Sequence, residues 1–231
     1  MCRRGATEEC SDISSALEDI GFDTHTLSGN NNRWKSEDLF QWLKTTLSQI
    51  RNTTSQLFVV GFTHGENGFM TDSDMEPIAI CSIVSTVNKF MFAGIPITFI
   101  MQACRGKKSD GKAPDPGLKK HNQLCQSCAV GEESRRFVYT KEVAKEIRRG
   151  NREVWDIHHT ASHAIQHHMD INLRSQTPAI TSQMAKPKPL LLPTPARIHA
   201  DTIESEYYVV FMLTCHCPVG MFFFVAVCKF I

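Results

Sequence analysis

A cysteine and a histidine in this chain have the types and the setting that peptide-bond cleavage needs. Cys104 stands in the motif Gln-Ala-Cys-Arg-Gly at 102–106, directly after an apolar run. His64 is followed by Gly65 and also ends an apolar run, 40 residues earlier (104 − 64 = 40). In cysteine peptidases a thiolate attacks the carbonyl carbon, and an imidazole protonates the leaving amine. The pattern therefore predicts Cys104 as a nucleophile and His64 as its acid and base.

The apolar runs before these residues predict the elements that position them. Residues 57–62 and 97–102 are continuous runs rich in Val, Ile and Phe, typical of strands buried on both faces of a parallel sheet. The carboxyl ends of parallel strands meet at one edge of the sheet, where ligands bind in open α/β folds. We therefore expect Cys104 and His64 side by side at that edge. The alternative is that Cys104 is an inert core thiol, as most buried cysteines are.

Segments with helical periodicity alternate with predicted strands along the rest of the chain. Gly21 ends a first helix, for which Asp12 is the predicted N-cap, and a short strand follows at 22–27. Further elements are predicted as helices at 36–50, 77–90, 137–149 and 152–168 and as a strand at 178–184. This alternation predicts an α/β fold with a mainly parallel sheet flanked by helices.

The motif at 102–106 resembles the signature of the caspase family, and a His-Gly pair upstream fits that resemblance. The resemblance runs from about residue 3 to residue 192. It implies a caspase-like three-layer sandwich and a cysteine endopeptidase that cleaves after aspartate, in apoptosis or inflammation, without a cofactor. It also implies that the backbone N–H groups of Gly65 and Cys104 form the oxyanion hole, since Gly65 has no side chain to block the substrate.

The family resemblance further implies a pocket for the substrate aspartate. A caspase pocket holds that carboxylate with two arginines and a glutamine, because paired arginine–carboxylate hydrogen bonds are selective. By resemblance Gln102 is the glutamine, and His25 stands where the first arginine is expected. The segment of the second arginine has no counterpart, because residues 107–136 stand in its place. A mostly neutral His25 binds a carboxylate poorly, so we expect weak cleavage that rises as the pH falls from about 7.5 toward 6.

The resemblance divides the chain into blocks. Residues 1–106 correspond to a large-subunit-like catalytic block that lacks the family's first strand, which leaves the sheet without a central member. Residues 137–192 correspond to a partial small-subunit-like block. Between them, residues 107–136 hold Gly, Pro, Ser and charge, which is typical of a long exposed linker.

Caspase-like zymogens are cut after aspartate in this linker. Asp110 is followed by Gly111, which leaves the bond unhindered. Asp115 is followed by Pro116, whose ring and missing N–H make a poor bond to cut. We therefore predict processing at Asp110.

Residues 193–231 match no part of the caspase pattern. Residues 207–231 of this extension are strongly apolar, and Lys229 is the only charged residue among them. Three interpretations stay open: a C-terminal membrane anchor, a buried hairpin added to the fold, and a poorly folded end.

Two groups of residues carry weaker signals for a metal. Cys125 and Cys128 form a Cys-x2-Cys pair near His121, but no second pair follows at a suitable spacing, and structural zinc needs four ligands. A histidine recurs at every fourth position of 159–167, which places three imidazoles on one helix face. A solvated face is the simpler interpretation, and no metal is predicted.

Composition bounds the compartment and the partners. The net charge of +1 gives no argument for nucleic acid. The nine cysteines are odd in number and scattered, and the N-terminus lacks the apolar core of a signal peptide, which favours a reducing cytoplasm and free thiols.

The expected partners are protein substrates with aspartate at the cleaved bond. Family members pair through an edge strand, here 179–183, so a homodimer or a heterodimer with another caspase is expected. A rival from another class is a non-enzymatic homologue that binds an active caspase as a regulator or decoy. His25 and the missing pocket segment favour the rival, whereas Cys104 and His64 favour the enzyme. A third possibility is a truncated chain that does not fold stably.

Overall fold

Helices and strands alternate along the chain, as predicted. The computed structural model describes residues 6–27, 33–49, 54–66, 68–91, 94–106, 115–129, 138–150, 153–169, 176–183, 208–210 and 222–229. The helices are α1 (Ala6–Glu18), α2 (Ser36–Gln49), α3 (Ile80–Phe90), α4 (Val138–Arg149) and α5 (Val154–Met169). The strands are β1 (Asp23–Thr26), β2 (Thr54–Phe62), β3 (Gly65–Glu66), β4 (Phe69–Thr71), β5 (Pro77–Ala79), β6 (Ile97–Gln102), β7 (Asn122–Gln126), β8 (Ala179–Ser182), β9 (Tyr208–Val210) and β10 (Phe222–Lys229).

The main sheet is mixed and has the order β1-β10-β2-β6-β7-β8, with β9 paired to the middle of β10. Strands β1, β2, β6 and β7 point the same way, whereas β10 and β8 run antiparallel to their neighbours. β2 and β6 lie next to each other inside the sheet because both of their faces are apolar: Val59, Val60 and Phe99 have no exposed surface. The predicted α/β architecture is confirmed.

The helices form two groups on opposite faces of this sheet. α4 packs against both α1 and α5, and α2 packs against α3. Cys125 of β7 faces the group with α4 and α5, while its neighbour Leu124 lines a cavity with Ile80 at the start of α3. Since side chains alternate along a strand, the two groups cover opposite faces. α1 begins at Ala6, so the prediction that Asp12 caps its N-terminus is wrong.

Strand β10 occupies the position between β1 and β2. It pairs antiparallel with both, placing Ala226 opposite Thr24 and Phe224 opposite Val60. The expectation that the sheet lacks a central strand is therefore wrong, because an apolar strand from the other end of the chain completes the ladder. Among the interpretations of the C-terminal extension, the structure agrees with an added hairpin of β9 and β10. Within the described ranges, no helix is long and apolar enough to cross a membrane.

Ala226→Pro tests the interior position of β10. Ala226 lies between Thr24 on one side and Val209 on the other. Proline has no N–H and is tolerated essentially only at sheet edges. Because the lost donor leaves a carbonyl of the sheet unpaired, we expect a loss of about 1–3 kcal/mol in the free energy of unfolding. Denaturant titration of the variant beside the wild type measures it. An unchanged midpoint would place β10 outside the sheet.

Strand β7 corrects the interpretation of residues 107–136 as one exposed linker. Its 5 residues are all buried, between β6 and β8. Two of its polar side chains have partners inside the fold: Asn122 Nδ2 donates to Asn88 Oδ1 (2.6 Å), and Gln123 Nε2 donates to Thr98 Oγ1 (2.9 Å). A polar sequence therefore forms an interior strand because its amides are satisfied by neighbours rather than by water.

A buried histidine of α5 contacts a buried tyrosine of α4. His158 Nδ1 and Tyr139 Oη are 3.0 Å apart, and Tyr139 has no exposed surface. Burial, with a smaller contribution from His159, lowers the pKa of His158 to about 4. The folded protein therefore keeps this imidazole neutral at pH 7.

We expect acid to destabilise the fold through His158. Its pKa is about 6.5 in the unfolded chain and about 4 in the folded protein, so stability is full above 6.5 and is lost as the pH falls toward 4. At pH 5 the loss from this group is on the order of 2 kcal/mol. Denaturant titrations at pH 7 and 5 should show this loss in the wild type and in the exposed control His163→Phe. The same loss in His158→Phe would contradict the assignment.

Candidate active site

Cys104 and His64 follow neighbouring parallel strands and reach the same edge of the sheet. Phe62 of β2 is opposite Gln102 of β6, and each chain runs two residues further to His64 and Cys104. The N–H of Thr63 donates to the Gln102 carbonyl (3.2 Å), which extends the pairing past the strand ends. Both side chains are half-buried. Because adjacent strands are ~4.8 Å apart, the cysteine and the histidine start from neighbouring backbone positions.

Gly65 lies directly against the segment that carries the cysteine. A Cβ built on Gly65 would lie 2.8 Å from Ala103 Cβ, 2.9 Å from the Cys104 carbonyl oxygen and 2.7 Å from the Phe69 carbonyl oxygen. The close approach of two backbone segments therefore excludes any side chain at this position. It also puts the Gly65 backbone beside Cys104, where a donor to a substrate oxyanion is needed.

The segment around Cys104 lies close to other parts of the chain on two sides. Gly106 has a φ of 67°, and a Cβ there would lie 2.7 Å from Glu66 Cγ on β3. On the other side, Cys128 Sγ donates to the Ala103 carbonyl (3.3 Å), just beyond the end of β7. The segment that bears the proposed nucleophile therefore passes close to Glu66 on one side and is hydrogen-bonded to Cys128 on the other.

His64 is positioned by a small separate sheet of the strands β3, β4 and β5. The N–H of Thr71 donates to the His64 carbonyl (3.0 Å), and Thr63 Oγ1 donates to the Thr71 carbonyl (2.8 Å). No pattern in the sequence predicted this sheet. Its strands have only 2 or 3 residues, too few to show a period of two.

Gln102, the predicted pocket glutamine, is fully buried in this structure. Its Nε2 donates to Glu9 Oε1 of α1 (3.3 Å), and Thr140 Oγ1 of α4 donates to the same oxygen (3.3 Å). Glu9 also has no exposed surface. The residue two positions before Cys104 is thus tied to two helices, and no sequence signal identified Glu9 or Thr140.

His25 does not come near Cys104. It lies in β1 opposite Val225, at about the level of Val59 and Phe99 in the middle of the sheet. Two strands separate β1 from β6, which amounts to ~14 Å across the sheet. Burial also lowers the pKa of His25, so the imidazole gains charge only below its ordinary range. The expected rise of activity between pH 7.5 and 6 therefore has no support from His25.

The predicted processing site Asp110 lies outside the described residues. Asp115, the alternative, is exposed and accepts a hydrogen bond from the Gly117 N–H (2.9 Å).

A cavity of about 270 Å³ opens on the α3 side of the sheet, next to Arg105. Ile80, Asp115 and Thr181 also line it. Burial lowers the pKa of Arg105, and the nearby Cys128 partly offsets this effect. Gln102 faces α1 and α4 instead, so this cavity is separate from the predicted aspartate pocket.

The candidate metal ligands do not converge in the described part of the chain. Burial raises the pKa of the Cys125 thiol to about 12. His159 and His163 are exposed, with ring centroids 4.6 Å apart. Within the described ranges, no three His, Cys, Asp or Glu side chains are grouped so that they could hold a metal ion.

An α/β sandwich that brings a cysteine and a histidine together at the carboxyl edge of adjacent parallel strands has the architecture of a class of cysteine peptidases. Residues 1–189 match the profile of the caspase domain. The chain therefore belongs to the caspase family.

Solved structures show the same fold. The crystal structure of caspase-1 from Spodoptera frugiperda is 18% identical, with a TM-score of 0.65 over 87% of this chain and 84% of that chain. A structure titled pro-sf-caspase-1 is also 18% identical, with a TM-score of 0.62 over 80% of this chain and 81% of that chain. Comparison with curated protein sequences gave no significant match.

Proposed function

We propose that this protein is a cytoplasmic cysteine endopeptidase that hydrolyses protein substrates after aspartate, in apoptosis or inflammation. The packing of Gly65 against Cys104 carries this proposal, because it joins the histidine-bearing end of β2 to the cysteine-bearing end of β6. Family membership supports the reaction class.

The reaction would use three residues at this edge of the sheet: Cys104, His64 and Gly65. Cys104 Sγ attacks the substrate carbonyl carbon, and the amides of Gly65 and Cys104 stabilise the oxyanion. His64 takes the proton of the Cys104 thiol and gives it to the leaving amine, which leaves a thioester on Cys104. His64 then takes a proton from water, whose oxygen attacks the thioester. The acid product leaves, and the released Cys104 thiolate regains its proton from His64.

The substrate aspartate needs a cation near Gln102, and His25 is too distant to supply it. Arg3 and Arg4 lie outside the described residues and come six and five positions before Glu9, the α1 residue that contacts Gln102. We propose that one of them binds the aspartate, since arginine pairs with carboxylates through two parallel hydrogen bonds.

Fluorogenic peptides that differ only at the cleaved residue test the substrate class. We expect cleavage after aspartate and none after asparagine. Turnover should be slow, because Gln102 is closed off from solvent. Equal cleavage of both peptides would contradict an aspartate pocket.

Processing should occur after Asp110. Gly111 leaves that bond accessible, whereas the bond after Asp115 has a proline on its amine side. Incubation with an active caspase should yield a fragment that begins at Gly111, and Asp110→Ala should abolish it. A fragment that begins elsewhere, or one that persists in the variant, would contradict the assignment.

A second function, regulation of another caspase by binding, is supported by β8. This strand ends the sheet order, and Thr181 and Ser182 are exposed. An exposed edge strand can pair with a second chain, as a homodimer or a heterodimer. Inhibition of an active caspase by Cys104→Ala would favour this function over peptidase activity.

A further inference from the structure

A fully buried carboxylate lies beneath the proposed active site. Glu9 stands in the first turn of α1, where the helix dipole favours negative charge. Its Oε1 accepts hydrogen bonds from Gln102 Nε2 and Thr140 Oγ1, at 3.3 Å each. All three side chains have no exposed surface. Helices α1 and α4 are thereby joined to the last residue of β6, two positions before Cys104.

We propose that Glu9 is a positioning residue that fixes the side-chain amide of Gln102 for substrate recognition. A carboxylate only accepts hydrogen bonds, so it selects the amide orientation with Nε2 toward α1 and the oxygen away. A neutral amide at position 9 accepts and donates, and would allow either orientation. The charge of Glu9, rather than its volume, therefore determines whether the nitrogen or the oxygen of the Gln102 amide faces α1.

This inference rests on the proposed function for its catalytic consequence only. Gln102 is the described residue expected to contact the substrate aspartate, and we place that carboxylate on the side of Gln102 where Glu9 holds the donor Nε2. A reversed amide would present its oxygen there instead of a donor. Hydrogen bonds to charged groups correspond to roughly 10- to 100-fold in binding. We therefore expect Glu9→Gln to slow aspartate-directed labelling of Cys104 by that factor.

The experiment compares labelling by an aspartyl ketone with labelling by iodoacetamide, both read at Cys104 by peptide mapping. In Glu9→Gln the aspartyl ketone should react 10- to 100-fold more slowly, while the iodoacetamide rate changes less than about threefold. Glu8→Gln, one residue away and exposed, should match the wild type in both. Glu9→Asp should restore part of the lost rate. An equal fall of both rates, or no fall, would overturn the proposal.

A second readout separates this inference from the proposed function. The side-chain amide of Gln102 gives a resonance pair in ¹⁵N-labelled protein that is identified by its loss in Gln102→Leu. We expect this pair to move in Glu9→Gln and to stay in Glu8→Gln. If the aspartyl ketone never labels the wild type, the proposed specificity for aspartate is wrong. The shift of the Gln102 resonance then decides alone whether Glu9 fixes the amide. If Glu9→Gln does not fold, Thr140→Val replaces it, because Thr140 donates to the same Glu9 oxygen. The Gln102 resonance should then move in Thr140→Val, and an unmoved resonance would overturn the proposal.

Discussion

Gly65→Ala should lower kcat/KM, or the rate of labelling of Cys104, by about 10²-fold or more. The added Cβ would meet two carbonyl oxygens and the Cβ of Ala103 at 2.7 to 2.9 Å, and none of these atoms belongs to a flexible side chain. The ends of β2 and β6 must therefore move apart, and a displacement of about 1 Å in an active site costs on the order of 10²-fold. We also expect a loss of about 1–3 kcal/mol in stability, as for other overpacked sites.

Gly94→Ala provides the matched control. Gly94 has a φ of 94° but no heavy atom within 4 Å of a built Cβ, so the substitution brings backbone strain without a clash. It should cost about 1–2 kcal/mol in stability and leave the rate unchanged. If Gly65→Ala retains the wild-type rate, the contact between Gly65 and Cys104 does not shape the site.

Cys104→Ala should abolish cleavage of aspartyl peptides, with a loss on the order of 10⁴-fold or more relative to wild type. His64→Ala should cost nearly as much, because the thiol then has no group to take up and return its proton. The double variant should be no slower than Cys104→Ala, since residues that act as a unit are not additive.

The control for this pair is Cys81→Ala, a half-buried free cysteine in the first turn of α3. Its kcat/KM should equal that of the wild type. Cleavage that persists in Cys104→Ala after purification of the variant would remove Cys104 from the mechanism.

The central strands and the candidate pair were predictable because their physical signals are local. Continuous apolar runs are required of strands buried on both faces, and they ended at His64 and Cys104. The register that sets these residues level follows from parallel pairing of two such runs. The family resemblance then gave the fold, which the structure confirms.

The remaining features depend on contacts between distant segments. β7 has a polar sequence, and its burial depends on partners such as Asn88 and Thr98, which lie 34 and 25 residues away. The insertion of β10 between β1 and β2 joins opposite ends of the chain. Glu9 contacts Gln102 across 93 residues, and no pattern in α1 identifies that contact. His25 was assigned to the aspartate pocket by resemblance alone. In the sheet order, two strands lie between its strand β1 and β6, which leads to Cys104.

Labelling of Cys104 by an aspartyl ketone, followed by peptide mapping of all cysteines, tests the cysteine–histidine pair directly in the wild type and in His64→Ala. We expect Cys104 to be the cysteine that reacts, and we expect its rate of labelling to fall at least about tenfold in His64→Ala, because a neighbouring imidazole raises thiol reactivity. Label spread over cysteines such as Cys81, or a rate at Cys104 that does not depend on His64, would contradict this expectation.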